Sequence, residues 1–390
     1  MTGTARSKLP DVGTTIFTLM SRRAAAAGAL NIGQGFPDYP IDPELAAAVT
    51  GAIAAGCNQY APMEGVLELR AAVAAKLRQS QGIDVDPETE ITITCGGTEG
   101  LFSATQALLG PGDNAIVFDP AYDAYEPAIR LAGAECRRIP LAAPVFAIDW
   151  ERVHDASDAR TRLLVLNNPH NPACAVHGRA DLEELQRWLE RRDAYVLADE
   201  VYEHVVFDGA THCSVLALPA LRERSLAVYS FGKTLHVTGW RVGYCVGARP
   251  LMQEFRKVHQ FNTFSIAHPL QAAIAHYLRA MPASWQELGR FFQHKRDLLR
   301  AALADTEFVL PAARGTYFQL LDFSAYSGGD DIGFADRLIR EASLATIPLS
   351  PFYRREAPRQ YLRLCIAKQD ATLLEAAERL RRWIRTAGQP

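Results

Sequence analysis

Residues 230–244, SFGKTLHVTGWRVGY, hold one lysine, Lys233, just after Ser230 and Gly232 and eight positions before Arg241. Gly232-Lys233-Thr234 could close a nucleotide-binding loop of the form G-x-x-x-x-G-K-[ST]. The first glycine of that pattern would fall on Ala227, inside LAVYSF, which reads as a buried strand with no room for a glycine-rich turn. The remaining chemistry is that of the amine itself. A desolvated lysine near another cation loses its proton readily and becomes a nucleophile and proton carrier. Most lysines at strand ends are solvated and ordinary, but the flanking Ser230 and Gly232 weigh against that here.

Other reactive types sit at comparable places. Asp199 closes the apolar run VLAD, where a carboxylate is either a helix N-cap or a buried counter-charge, and the residues alone leave both open. Asn171 lies in NNPHNPA, a stretch that would form a turn in any case. Tyr122, in DPAYDAY, can be core or an aromatic platform. Gly97, Thr98 and Glu99 open a helix, whose free N–H groups and dipole favour an anion. Arg363 lies in YLRLCIA, where Leu362 and Leu364 suggest a half-buried strand in which an unpaired arginine would be costly.

These residues need elements that gather them. From about residue 66, helical and strand-like stretches alternate: VLELRAAVAAKL, ITITCGG, TEGLFSATQALLG, NAIVFDP, AYEPAIRLAGA, RLLVLNNP, ADLEELQRWLERR and AYVLADEVY, then the strands LAVYSFG and VGYCVG. Short, continuously apolar strands between amphipathic helices predict an α/β fold whose mostly parallel sheet is sandwiched by helices. In such sheets ligands sit at the carboxyl ends of the strands. Those ends here are CGGTEG, FDPAYDAY, NNPHNPA, ADEVYEH and SFGKT. After residue 250 come long helices, then the α+β stretches GTYFQLLDF and RQYLRLCIA and a closing helix. The expected division is a large domain over 46–284 and a smaller α+β domain over 285–390 that includes the N-terminal segment 1–45.

Composition narrows the class. The net charge is −3 with no basic block, which argues against a nucleic-acid partner. Seven scattered cysteines without a C-x-x-C pair, and ten histidines without H-E-x-x-H, give little support to a disulfide framework or a metal site. MTGTARSKLPDVGTTIF lacks the apolar segment of a secretory signal, and no later run approaches a membrane span, so the expectation is a cytoplasmic protein.

Taken in order, NIGQGFPDYP, NQYAPMEGVLELR, NPHNP, DEVYEH, FGKTLHVTGWRVGY, KVHQ and YLRLCIA resemble the class I aminotransferases of fold type I, which use pyridoxal phosphate (PLP). Within that family the chain looks closest to the methionine and kynurenine/glutamine-type enzymes. The resemblance implies a ping-pong transfer of an amino group from an amino acid to a 2-oxo acid. It implies that Lys233 holds PLP and moves the proton, that Asp199 faces the pyridine nitrogen, and that Asn171 and Tyr202 hold the phenolic oxygen while Tyr122 stacks on the ring. Gly97, Thr98, the backbone of Glu99, Ser230 and Arg241 would hold the phosphate. Tyr60 would reach it from the neighbouring subunit of a homodimer with shared sites. Arg363, with Asn171 and the backbone of Gly35, would clamp the substrate carboxylate. Ala173 and Cys174 replace residues that are Ser or Thr and Gly in many relatives.

The same lysine and arginine would also serve a PLP-dependent cysteine-conjugate β-lyase. A non-catalytic PLP-binding regulator is disfavoured because every expected catalytic position is filled. No second arginine is evident for a distal carboxylate, and Phe17, Phe36 and Tyr317 are apolar or aromatic pocket candidates, which points to methionine or aromatic donors. Met63, His170 and His177 have structural explanations.

Overall fold

The computed structural model describes residues 6–387. Residues 1–5, the start of the stretch read as lacking a signal segment, and 388–390 lie outside the described residues. The central sheet has seven strands: β1 Ile91–Thr94, β2 Asn114–Asp119, β3 Glu135–Pro140, β4 Thr161–Asn167, β5 Tyr195–Asp199, β6 Ser225–Ser230 and β7 Gly243–Gly247. Their order is β1-β7-β6-β5-β4-β2-β3. Only β7 runs against its neighbours, so the sheet is mostly parallel. Every residue of β2, β6 and β7 is buried, as expected of strands covered on both faces. The helices Gly96–Leu108 and Arg249–Asn262 pack together on one face.

β3 differs from the apolar pattern. It is an edge strand reading ECRRIP, whose Arg137 and Arg138 pair with Asp158 and with Asp119 and Glu126. Charges on an exposed edge discourage further strand addition, and they also hide the strand from a search for apolar runs.

A second sheet is antiparallel: β8 Phe318–Asp322, β9 Ile347–Pro348 and β10 Tyr361–Cys365, in the order β9-β10-β8. The register sets Arg363 opposite both Leu320 and Ile347. The N-terminal segment joins this end of the molecule. Its helix Ile16–Ala27 is capped by Thr15 and ends at Gly28 in the left-handed conformation. Leu30–Asn31 then pairs with Leu344–Ala345, and the Cys365 N–H donates to the Ile32 carbonyl at 2.6 Å. Among the described residues no helix is long and apolar enough to cross a membrane.

Candidate active site

The carboxyl ends of β2, β4, β5 and β6 lie side by side, because those strands are consecutive in the sheet. Register does the fine placement. Asn167 is opposite Asp199, and Asp199 is opposite Val228, two residues before Ser230. The result is a cleft of about 340 Å³ walled by Thr98, Tyr122, Asn171, Asp199, Tyr202 and Lys233, with Gly97, Ser230 and Arg241 at one end.

Lys233 is half-buried, and its Nζ donates to the Tyr317 hydroxyl at 2.7 Å. It also lies over the rings of Tyr317 and Tyr202, at 5.1 and 5.7 Å from their centroids. Burial brings its pKa down to about 8, and the nearby Arg241 and Arg363 push in the same direction. Tyr317 in turn donates to the Gly35 carbonyl at 2.7 Å.

Asp199 is buried, and burial raises its carboxyl to about 6 against the hydrogen bonds it accepts. Tyr125 donates to Oδ2 at 2.5 Å, and the Val201 N–H approaches Oδ1 at 3.4 Å. Asn167, which also lines the cleft, donates to the Asp199 carbonyl at 2.8 Å and accepts from the Asn171 N–H at 2.7 Å. Tyr202 is buried against Tyr317, and burial pushes its phenol well above the ordinary range.

At the other end, Gly96 has φ 70° and its α-carbon faces the Arg241 guanidinium; a Cβ there would lie 2.7 Å from Nη2. Only glycine permits that approach. The first turn of the helix Gly96–Leu108 opens at this point, beside Ser230 and Thr98. The Glu99 side chain does not line the cleft. Its oxygens accept from the Cys95 N–H, Ser103 and His259 at 3.0, 2.6 and 3.0 Å, so only its backbone is free to face the helix opening.

Arg363 is buried under the cleft, with Nη1 donating to Asn171 Oδ1 at 2.9 Å and Nη2 to the Gly33 carbonyl at 3.0 Å. Its guanidinium is 3.8 Å from the Phe318 ring centroid and 5.0 Å from that of Phe17, and its Nε has no partner. The neighbouring backbone carbonyl it engages is that of Gly33, while Gly35 serves Tyr317. The chain therefore brings together the expected Lys233, Asp199, Tyr202, Tyr122, Asn171, Ser230, Arg241 and the Gly97–Thr98 turn, with Arg363 adjoining. Tyr60 stands apart from its own chain's cleft. It is 82% exposed and packs edge-on against Phe264.

The aminotransferase class I and II family model matches residues 27–380. The chain belongs to the class I and II aminotransferases. It is 47% identical to the methionine aminotransferase of Escherichia coli K12 over 96% of this chain and 97% of that protein. It is 32% identical to rat kynurenine–oxoglutarate transaminase 1 over 91% and 92% of the two chains. A solved Escherichia coli structure described as having a methionine aminotransferase function superposes with TM-score 0.95, covering 97% of this chain and 99% of that one. The family resemblance read from the motifs, the fold type I α/β architecture and an amino-acid aminotransferase activity are thereby established. The lyase and regulator alternatives gain no support.

Aminotransferases of this class and fold use PLP, and the residues present fit it. The amine is held with a lowered pKa, an acid lies at the back of the cleft, and a glycine cradle faces a guanidinium at the open helix end. Three partners of these groups escaped the sequence reading. Asn167 is the first of three asparagines in NNPHN, a motif that points to the last, Asn171; Tyr317 reads as a pocket wall rather than as the partner of Lys233; and Tyr125 carries no distinguishing motif. Phe36, a pocket candidate, is 41% exposed and lies under Lys368 instead. Burial lowers His170 to about 3, which suits a structural role.

Proposed function

We propose that this aminotransferase binds PLP in the cleft and uses methionine or aromatic amino acids as donors and a 2-oxo acid as acceptor. The observation that carries the reading is the convergence of Lys233, Asp199, Asn171 and Tyr202 on one cleft, with Arg363 beneath it and its Nε unpartnered. When bound, PLP supplies an electron-withdrawing ring that stabilises negative charge at the substrate Cα. Asp199 would pair with the protonated ring nitrogen, and Asn171 and Tyr202 would hold the ring oxygen. Tyr122 would pack on the ring and help exclude water. The Gly97–Glu99 N–H groups, Ser230 and Arg241 would take the phosphate. Arg363, steadied by Asn171, binds the carboxylate common to all donors with a planar fork.

With a pKa near 8, Lys233 is neutral in roughly a tenth to a quarter of molecules near neutral pH, far more often than an ordinary lysine, and that fraction can take the proton from Cα and return it. The relatives named for methionine and kynurenine transamination favour an apolar or aromatic donor, as do Phe17, Phe318 and Phe352 around Arg363.

The reading extends to a homodimer in which Tyr60 of each chain reaches the phosphate of the other. Its support is an exposed aromatic patch, with Tyr60 82%, Phe261 87% and Phe264 50% accessible. A large unit over 46–284 and a small one over 1–45 and 285–390 are supported by the separate three-stranded sheet and by the pairing of Leu30–Asn31 with Leu344–Ala345. The test is uptake of PLP with a visible absorbance band, lost in Lys233→Ala, followed by a donor screen with one 2-oxo acid. A wild-type protein that takes up no added PLP refutes the reading.

A further inference from the structure

Tyr125 opens the helix Tyr125–Leu131, three residues after Tyr122, and the two rings meet edge to face at 5.7 Å. One side of this turn therefore walls the cleft while the other reaches behind it. There the buried Tyr125 hydroxyl meets Asp199 Oδ2 at 2.5 Å. An ionised carboxylate only accepts, so the phenol is the donor. Burial and the Asp199 charge hold that phenol well above its ordinary range, which keeps the proton on it. Oδ1 has only the long contact from the Val201 N–H, at 3.4 Å.

The other charged or titratable groups facing Asp199 are Lys233, Glu200, Tyr122 and Tyr202. Of these, Lys233 favours the charged carboxylate and Glu200 opposes it. No other side chain donates a hydrogen bond to this buried acid among the described residues.

We propose that Tyr125 is a positioning residue: its hydroxyl holds Oδ2 so that Asp199 stays ionised with Oδ1 turned to the ring nitrogen of the bound cofactor. The inference rests on the reading of Asp199 as the partner of that nitrogen. It adds the group that keeps the acid usable in a place where burial disfavours its charge.

The test is Tyr125→Phe, which keeps the ring and removes the donor. In the cofactor-free protein, Asp199 titrates above its unfolded value. Its contribution to stability therefore falls as pH rises from about 4 to about 6 and is level beyond. Without the Tyr125 bond the carboxyl titrates higher, so the difference in Tm between wild type and variant should widen between pH 6 and 8. The affinity for pyridoxamine phosphate, which needs no covalent link to Lys233, should weaken by about tenfold or more. In an Asp199→Asn background, Tyr125→Phe should cost little further affinity, because a neutral amide does not need that donor.

A purely structural tyrosine would lower Tm equally at every pH and in both backgrounds. Parallel Tm–pH curves, or an affinity within about twofold of wild type, would overturn the proposal while leaving the PLP reading intact. If the wild-type protein takes up neither form of the cofactor, the parent reading falls instead. The wild-type arm distinguishes the two failures.

Discussion

Replacing Arg363 with glutamine should lower kcat/KM for methionine and for phenylalanine by the same large factor. The guanidinium is 1% exposed, with one nitrogen on Asn171, one on the Gly33 carbonyl and Nε unpartnered. A substrate carboxylate arriving there completes a desolvated, charge-assisted pair. Removing one member of such a pair costs roughly 3 to 4 kcal/mol, or about 150- to 900-fold in kcat/KM. Glutamine keeps polarity but brings neither charge nor fork. The carboxylate is common to both donors, so their ratio should not move. 3-Methylthiopropylamine, the methionine skeleton without its carboxylate, should be a poor donor to wild type and variant alike. The assay follows each donor in single turnover on cofactor-loaded protein, with Tm and cofactor uptake as controls for folding. A loss below about tenfold, or losses that differ between the two donors by more than about threefold, would refute this role for Arg363.

The pKa of Lys233, near 8 through burial, predicts that cofactor uptake by the empty protein accelerates about tenfold per pH unit below 8 and levels above it, since only the neutral amine reacts; a rate flat from pH 6 to 9 contradicts this. Mixing inactive Tyr60→Ala and Lys233→Ala proteins under subunit exchange should restore part of the activity, because each mixed dimer concentrates both lesions in one site and leaves the other intact. Demonstrated exchange without recovered activity rules out the shared site. In the donor screen, aspartate should fall behind methionine by about a thousandfold in kcat/KM, since its distal carboxylate would be buried without a partner; parity would mean that the pocket holds a cation not yet accounted for.

How far the site can be read from the chain follows from how parallel sheets are built. Buried strands are continuous apolar runs, so the residue at which a run stops is visible in the sequence, as at Asp199 and Ser230. Adjacency of the strand ends then follows from the fold type, and with it the convergence of Asn171, Asp199 and Lys233. The layer behind these groups is set by register and by the choice of helix face, neither of which leaves a local pattern. In YDAY both tyrosines lie on the same turn, yet one walls the cleft and the other grips Asp199, which is 74 residues away in the chain. Tyr317 meets Lys233 across 84 residues, from the position just before β8 of the second sheet.

The edge strand Glu135–Pro140 is hidden for the opposite reason: its charges serve the edge, so it lacks the apolar signature of its neighbours. Tyr60 shows a third kind of limit. Its motif can be recognised, but its proposed role lies across an interface between two chains, and within one chain it is simply an exposed aromatic. Residues that meet ligand directly thus sit where a simple pattern breaks, whereas those that tune them occupy ordinary core or surface positions. A survey of strand ends will recover an acid such as Asp199 and overlook the phenol that keeps it charged, so the second layer has to be sought by asking which donor each buried charge possesses.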